Sequence, residues 1–278
     1  MARKLFILVV IGMIIPAMNL NAAEYYYFSV LNQRSPELIA KHWNPILDYV
    51  SAKSGVLLRL KIGKTAPETT ALTVRGEAQF AFTNHLFTPE RAKLGWKVIA
   101  RQDTEGIQGE IVVLASSPIK AVEELNRKVV GFPSKEAFVG YWIPMDRLLR
   151  KNITVKEVFA GNQEGAMGQL RFGKVDAIGA NSAVMKGYAA KENIAYRVLW
   201  RSETYHDLCI MASPRVPAAT MRAVRQAFIT MSQTAEGKKV LAQAAANINQ
   251  KQSVGFVKSD DTEYENYKRF YKKTPVRE

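Results

Sequence analysis

The sequence is poor in cysteine, histidine and acidic residues. Its 278 residues include one cysteine, Cys209, and three histidines, which excludes an internal disulfide and a four-cysteine zinc site. Acidic residues are outnumbered, since 25 Asp and Glu stand against 39 Lys and Arg, giving a formal net charge of +14. A surplus of this size suits a nucleic acid, an anionic membrane surface or a small anionic ligand as partner.

Long apolar runs are absent after the N-terminus, and the N-terminus itself is typical of a secretory signal peptide. Arg3 and Lys4 precede an apolar run over residues 5–18, and small residues follow up to Ala23. A membrane-spanning helix needs about 20 apolar residues. We therefore predict a cleaved signal over residues 1–23 and a periplasmic protein, with an uncleaved anchor as the alternative. Export argues against nucleic acid as the partner.

Strand and helix signals alternate along the rest of the chain. Apolar residues make up 47% and charged residues 23%, which indicates a packed globular protein. Short apolar runs such as 80–82 and 129–132 predict strands, and segments with helical apolar spacing such as 35–55 lie between them. This alternation predicts an α/β fold of mostly parallel sheets with helices on both faces.

Two segments of the chain resemble each other. Residues 75–84 and 172–181 each read as a helix end, a glycine, a short buried strand and an asparagine. The match is either a coincidence or the trace of two related lobes. In open α/β sheets, ligands bind beyond the carboxyl ends of the strands. Two lobes would place Asn84 and Asn181 opposite each other across a cleft.

Another candidate for ligand binding is the start of the helix predicted to run towards residue 149. Pro133 and Ser134 favour a helix start there, with Ser134 as the cap. The free N–H groups of a helix N-terminus attract anions, and Lys135 adds a cation. The alternative is that Ser134 only caps the helix and that Lys135 is solvated.

Further candidates are polar side chains at predicted strand ends and helix starts. They are Thr83, Asn84, His85, Asn162, Gln163, Glu164 and Asn181. Hydroxyl, amide and imidazole groups can hydrogen-bond an oxyanion, whereas Glu164 favours a cationic group. For Asn162 and Glu164, helix capping and pairing with the helix dipole remain the alternative.

Several segments resemble, in order and spacing, the periplasmic phosphate/phosphite/phosphonate-type solute-binding proteins of ABC transporters. The segments are 43–50, 80–87, 124–132, 159–165 and 173–177. The resemblance extends over about residues 27–217 and implies the two-lobed type II periplasmic binding protein fold. Its hinge would consist of two crossing strands, near Glu110 and near Leu208.

The resemblance also implies domain limits. Residues 24–108 and 208–278 would form the first lobe, and residues 109–207 would form the second lobe. Each lobe would be a mostly parallel sheet flanked by helices, with the ligand between the lobes.

The resemblance implies an anion grip at a hydroxyl-rich stretch, which in this chain reads Ser134, Lys135, Glu136 and Ala137. Members of the family carry an aromatic residue near the position of Gln108, which we therefore include in the predicted site. Because an acid stands in the grip, a different small oxyanion or a ligand with an amine group also remains open.

Motifs for catalysis are absent from the sequence. It has no Gly-x-Ser-x-Gly elbow, P-loop or His-Glu-x-x-His motif, and its histidines are scattered. We therefore predict no enzyme activity, metal or cofactor. The aromatic stripe Tyr264, Tyr267, Phe270 and Tyr271 has helical spacing, which predicts docking on the core or on a partner.

We thus expect a monomeric protein that captures a small anionic ligand, phosphonate-, phosphite- or phosphate-like, for an inner-membrane ABC permease. The alternative partner is a membrane histidine kinase to which the protein presents another oxyanion or a metalloid. An exported enzyme is the third possibility, and no catalytic set in the sequence favours it.

Overall fold

The computed structural model describes residues 25–277. The predicted signal peptide, residues 1–23, lies outside the described residues. Within the described part of the chain, no helix combines the length and the apolar character that crossing a membrane requires.

Strands and helices alternate through most of the described chain, as the sequence predicts. The strands, in chain order, are β1 (Tyr26–Val30), β2 (Leu58–Leu60), β3 (Phe80–Thr83), β4 (Lys97–Gln102), β5 (Ile107–Leu114), β6 (Val129–Phe132), β7 (Lys156–Phe159), β8 (Ala177–Asn181), β9 (Tyr196–Tyr205), β10 (Cys209–Ala212) and β11 (Phe256–Lys258). The helices are α1 (Pro36–Ser54), α2 (Ala66–Val74), α3 (Pro89–Ala92), α4 (Ile143–Arg150), α5 (Gln163–Arg171), α6 (Ser182–Glu192), α7 (Ala218–Thr230), α8 (Ala235–Ala246) and α9 (Glu265–Lys273).

Local sequence signals fix most of these boundaries. Helix α1 begins where the Ser35 side chain accepts a hydrogen bond from the Leu38 N–H, and Pro36 occupies its first turn. It ends at Gly55, whose left-handed backbone (φ 71°) places its N–H on the Ser51 carbonyl. The apolar side of α1 packs on the first sheet through residues such as Trp43.

The strands form two separate mixed sheets. The first sheet has the order β11-β4-β10-β3-β1-β2 and the second the order β7-β6-β8-β5-β9. We call the first sheet with its helices lobe 1 and the second sheet with its helices lobe 2. The α/β class and the two-sheet architecture confirm the predicted fold.

The strand directions correct one detail of that prediction. Pairs β1–β2, β1–β3, β6–β7 and β6–β8 are parallel, whereas pairs that involve β5, β10 or β11 are antiparallel. The sheets are therefore mixed rather than mostly parallel. The reason is topological, since β5 and β10 enter their sheets directly from the other lobe, with no helix between to reverse the chain.

The chain passes between the lobes twice. It leaves lobe 1 after β4 and returns to it before β10, so residues 103–106 and 206–208 are the crossovers. The lobe limit predicted after residue 108 therefore falls within β5, and the limit predicted after residue 207 falls within the second crossover.

The predicted helix start at Pro133 and Ser134 is wrong. Residues 133–137 form a turn, and the helix begins at Phe138 with a π-helical turn, Phe138–Trp142, that continues into α4. Ser134 therefore does not cap it. Close packing of this turn on the sheet sets its start, because a Cβ on Gly179 would overlap the Gly140 carbonyl oxygen. Only a glycine in β8 lets the turn lie so close.

The C-terminal aromatic stripe docks on the core, where it joins the two lobes. Tyr267 of α9 stacks on Phe138 of lobe 2 with ring centroids 3.9 Å apart. Tyr264 stacks on Phe87 of lobe 1 with centroids 5.0 Å apart. One continuous apolar cluster thus extends from lobe 1 through α9 into lobe 2.

Candidate ligand-binding site

A small cavity lies where the two lobes face each other. The residues that line it come from both lobes and from the second crossover. They are Leu31, Asn32, Gln33, Ala66, Asn84, His85, Pro133, Ser134, Ala137, Phe138, Val139, Gly140, Gln163, Asn181 and Leu208. Among these described residues there is no Lys, Arg, Asp or Glu, so the cavity is polar but without formal charge.

The paired asparagines lie in this cavity. Asn84 follows β3 of lobe 1, and Asn181 ends β8 of lobe 2. Both are almost fully buried, at 3% and 1% exposure. The carboxyl ends of these strands therefore meet at the cavity from opposite lobes, which is the arrangement expected from the repeated segments.

Two amide side chains of lobe 2 have their orientation fixed by backbone contacts. Asn181 Oδ1 accepts hydrogen bonds from the N–H groups of Ala183 and Val184, at 3.0 and 3.4 Å. Gln163 Oε1 accepts from the Asn181 N–H at 3.3 Å. Since their oxygens are used this way, each side chain keeps its NH₂ group as the end that can donate to a ligand.

His85 contributes a neutral imidazole. It is 1% exposed, and its Nδ1 lies 2.8 Å from the Thr70 hydroxyl oxygen. Burial, with a smaller contribution from the Arg91 charge, lowers the pKa of His85 well below its ordinary value. Nε2 has no hydrogen-bond partner among the described residues. When the Thr70 hydroxyl donates to Nδ1, the ring proton is on Nε2, where it can donate to a ligand.

Ser134 and the π-helical turn supply further donors. The Ser134 hydroxyl is buried, and the described residues offer it no hydrogen-bond partner. Phe138, Val139 and Gly140 line the cavity at the start of the helix, where backbone N–H groups have no carbonyl of a preceding turn to bind. Ala137 precedes them and also lines the cavity.

Other residues of the predicted site lie elsewhere. The Thr83 hydroxyl accepts a hydrogen bond from the His85 N–H at 3.0 Å, which holds the loop after β3. Gln108 donates from its side chain to the Ser202 carbonyl at 2.9 Å, inside lobe 2. Asn162 caps α5, since its Oδ1 accepts from the Gly165 N–H at 2.8 Å. These side chains support the structure around the cavity without lining it.

The charged residues of the predicted site do not line the cavity. Lys135 places its Nζ 5.9 Å from the centre of the Phe159 ring. Glu136 lies 3.8 Å from an Arg91 nitrogen of lobe 1, and Glu164 lies 3.8 Å from an Arg34 nitrogen of lobe 1. Both acids therefore form ion pairs between the lobes.

These two ion pairs are expected to hold the lobes together. The double variant Arg34→Ala/Arg91→Ala removes both, and a partly exposed pair contributes up to about 1 kcal/mol. We expect the ratio of separated to apposed lobes to rise by about fivefold, which corresponds to about 1 kcal/mol for the two pairs together. The measurement is the radius of gyration by small-angle X-ray scattering at low salt. Added salt should produce the same shift in the unaltered protein, because it screens exposed charges.

The matched control is Lys93→Ala, which removes an exposed pair with Glu90 within lobe 1. It should leave the radius of gyration unchanged. An identical radius for the double variant and the unaltered protein would show that the pairs do not hold the lobes.

The sequence left several lining residues unpredicted. Asn32 and Gln33 follow β1, so the strand-end rule that indicates Asn84 also applies to them. Phe138 and Gly140 carry no comparable signal, because a π-helical turn is not visible in a sequence. Leu208 lines the cavity from the crossover, and its position depends on the return of the chain to lobe 1.

A larger groove adjoins the cavity and shares Leu31 and Gln33 with it. Asp207 lines the groove, and burial raises the pKa of its carboxyl group to about 6. Hydrogen bonds from the Leu208 N–H and the Gln33 side chain act against this increase. Within residues 25–277, no group of three or more His, Cys, Asp or Glu side chains is placed to hold a metal ion.

A protein-family sequence model described as "ABC transporter, phosphonate, periplasmic substrate-binding protein" matches residues 28–264. This match confirms the resemblance seen in the sequence. A comparison with curated protein sequences gives no match. The family description is that of a transporter component, and none of these comparisons points to a sensor kinase.

Solved structures with the same fold have low sequence identity to this chain. PhnD1 of Prochlorococcus marinus in complex with methylphosphonate has a TM-score of 0.76 and 15% identity, with 90% of this chain and 97% of that chain covered. A binding-protein component of an ABC phosphonate transporter of Pseudomonas aeruginosa has a TM-score of 0.74 and 16% identity, with 89% and 86% covered. A Xanthomonas citri protein bound to ATP has a TM-score of 0.70 and 13% identity, with 89% and 96% covered.

Proposed function

Because this chain belongs to the family of periplasmic phosphonate-binding proteins of ABC transporters, we propose that it captures a small phosphorus oxyanion between its lobes and delivers it to an inner-membrane permease. The methylphosphonate complex of the structurally similar Prochlorococcus marinus protein supports this class of ligand. The predicted N-terminal signal is in keeping with work in the periplasm, where we propose that the protein acts as a monomer.

One observation carries the proposal. Asn84 Oδ1, His85 Nε2 and Ser134 Oγ are buried and have no hydrogen-bond partner among the described residues. All three residues line the same cavity, two from lobe 1 and one from lobe 2. An unpaired buried polar atom costs about 1–3 kcal/mol, so three of them around one cavity favour a polar ligand that pairs with all three.

The donors of the cavity suit an anion although none of the described residues that line it carries a positive charge. The Ser134 hydroxyl, the His85 imidazole and the amide NH₂ groups of Gln163 and Asn181 can converge on a small oxyanion. Backbone N–H groups at the start of the π-helical turn add the partial positive charge of a helix N-terminus. Hydrogen bonds to a charged group are about twice as strong as neutral ones, so neutral donors suffice.

We propose that ligand binding and lobe closure are coupled. Lobe 1 extends to the end of β4 and resumes at β10, lobe 2 extends from β5 to β9, so the limit predicted after residue 108 moves to the first crossover, and rotation occurs at the two crossovers. Closure brings Ser134 and Gln163 of lobe 2 onto a ligand held by Asn84 and His85 of lobe 1. The ion pairs between the lobes and the Ala66 N–H bond to the Gly161 carbonyl, at 3.3 Å, then form at the rim.

Calorimetry tests this function directly. We expect saturable binding of at least one of inorganic phosphate, phosphite and methylphosphonate. Ser134→Ala should weaken that binding by about 10- to 100-fold, since a hydrogen bond to a charged group contributes about 1.5–3 kcal/mol. Ser253→Ala is the matched control, because Ser253 is exposed. Failure of all three ligands to bind would contradict the proposal, as would full binding by the Ser134→Ala variant.

A further inference from the structure

A chain of hydrogen bonds runs from the second crossover to the cavity. The Tyr267 hydroxyl donates to the His206 carbonyl oxygen at 2.5 Å, and Asn84 Nδ2 donates to the Tyr267 hydroxyl oxygen at 3.3 Å. A backbone carbonyl can only accept, so the one proton of the tyrosine is committed to His206. Burial raises the pKa of Tyr267 well above its ordinary value, so this proton stays on the hydroxyl group.

This chain of hydrogen bonds fixes which end of the Asn84 amide faces the ligand. Because the Tyr267 oxygen has given its only proton to His206, it can only accept from Asn84, and the NH₂ group must face it. A turn of the amide by 180° would place two acceptors against each other and lose a buried hydrogen bond, at a cost of about 1–3 kcal/mol. The tyrosine is itself held, because its ring stacks on Phe138.

The Asn84 carbonyl oxygen is therefore the atom left for the cavity. Asn84 is 3% exposed, and its Oδ1 has no partner among the described residues. The oxygen is an acceptor, whereas the free amide ends of Gln163 and Asn181 are donors. A fully deprotonated oxyanion offers only acceptors. It would leave Asn84 Oδ1 without a donor and place a ligand oxygen, also an acceptor, against it. An anion that also carries an O–H group satisfies every one of these groups.

We propose that the cavity selects a tetrahedral oxyanion that carries one proton, with Asn84 Oδ1 accepting that proton in a hydrogen bond. The class comprises the hydrogen forms of phosphate, phosphite and phosphonates, and the cavity rejects sulfate and sulfonates. This inference rests on the proposed function and narrows it. Tyr267 is the positioning residue, since it acts on the ligand only through the orientation of Asn84.

The test compares tetrahedral anions that carry an O–H group with tetrahedral anions that carry none. Calorimetry is run with inorganic phosphate, phosphite and methylphosphonate, and with sulfate and methanesulfonate. We expect the phosphorus anions to bind at least about 100-fold more tightly, because a site built to bond a ligand O–H strongly rejects an analogue without it. Sulfate or methanesulfonate binding within tenfold of the phosphorus anions overturns the inference and leaves the proposed function intact. Failure of all five anions overturns the proposed function itself.

Two variants then test the role of the hydrogen-bond chain. Tyr267→Phe removes the hydroxyl that holds the amide, so Asn84 can turn its NH₂ group to the ligand, and discrimination should fall below tenfold through tighter sulfate binding. Asn84→Leu removes the acceptor, so discrimination should also fall below tenfold, through weaker binding of the phosphorus anions. Melting curves by circular dichroism establish that each variant is folded.

The matched control is Tyr264→Phe. This hydroxyl donates to the carbonyl of Asp207, in the same crossover, at 3.0 Å. Removing it loses one hydrogen bond to a backbone carbonyl, as Tyr267→Phe does, but leaves the Asn84 amide held by Tyr267. We expect discrimination in this control to equal that of the unaltered protein. Discrimination that survives in both Tyr267→Phe and Asn84→Leu overturns the inference, since a purely structural role would change melting temperature and not the ratio.

Discussion

Gly140→Ala is expected to weaken ligand binding by about 10- to 100-fold while the protein stays folded. A Cβ on Gly140 would lie 2.6 Å from Gln163 Nε2 and 2.8 Å from Pro133 Cγ. The end of the glutamine side chain can swing away, at the cost of its hydrogen bond from the Asn181 N–H, while the Pro133 ring must shift slightly. The glutamine NH₂ group then leaves the cavity, and the ligand loses a hydrogen bond that contributes about 1.5–3 kcal/mol. Calorimetry with the phosphorus anion that binds most tightly gives the affinity, and a urea titration gives the free energy of unfolding.

Gly187→Ala is the matched control. Gly187 is in α6, and nothing lies within 4 Å of the position that its Cβ would take. Alanine is favoured over glycine in a helix by up to about 1 kcal/mol, so this variant should be as stable as the unaltered protein or more so. Its affinity should not change. If Gly140→Ala binds the anion as well as Gly187→Ala does, Gln163 is not part of the site.

A Gly179→Ala variant would distinguish a steric effect on stability from the loss of the Gln163 hydrogen bond to the ligand. Its Cβ would meet the Gly140 carbonyl oxygen, which is backbone and cannot swing away. The loss should therefore appear mainly in stability. The contrast explains why a glycine in β8 and a glycine in the π-helical turn lie against each other. The first brings the helix start close to the sheet, and the second leaves room for the glutamine amide at the cavity.

The strand-end rule applies to two residues that line the cavity. It indicates Asn84 and Asn181 from the sequence alone, and both line the cavity. Glu136, indicated by the resemblance, and Glu164, indicated by a predicted helix start, do not line the cavity and pair instead with Arg91 and Arg34 of the other lobe. The net charge of +14 is likewise absent from the cavity, where the described lining residues carry no formal charge. The overall charge therefore says little about how the ligand is held.

The features that could not be predicted from the sequence depend on contacts between residues that are far apart in the chain. Tyr267 and Asn84 are separated by 183 residues, and only the docking of α9 across the lobes joins them. Pro133 and Ser134 have the residue types of a helix start, yet the helix begins at Phe138. The close backbone contact between Gly140 and Gly179 outweighs the local preference of Pro133 and Ser134 for a helix start. Such a contact leaves no pattern of residue types in the sequence from which it could be predicted.

Arg201→Met is expected to lower the free energy of unfolding by about 3 kcal/mol. Glu110 of β5 is 1% exposed, and its Oε1 accepts from both Arg201 Nε and a terminal nitrogen at 2.7 Å. The two residues are register partners on β5 and β9. Removing the arginine leaves a buried carboxylate unpaired, which costs about 3–5 kcal/mol in general. We expect the lower end because half of the Arg201 side chain is exposed and water can partly replace it.

The double variant Arg201→Met/Glu110→Leu makes this prediction specific. Replacing a buried ion pair by apolar residues of similar volume is often neutral, so the double variant should recover most of the loss seen in the single one. Lys93→Met is the matched control, since both members of its pair with Glu90 are 70% exposed, and it should change stability by less than about 0.5 kcal/mol. Urea titrations followed by tryptophan fluorescence measure all three. A double variant less stable than Arg201→Met would show that the arginine stabilises lobe 2 by packing over β9 rather than by neutralising Glu110.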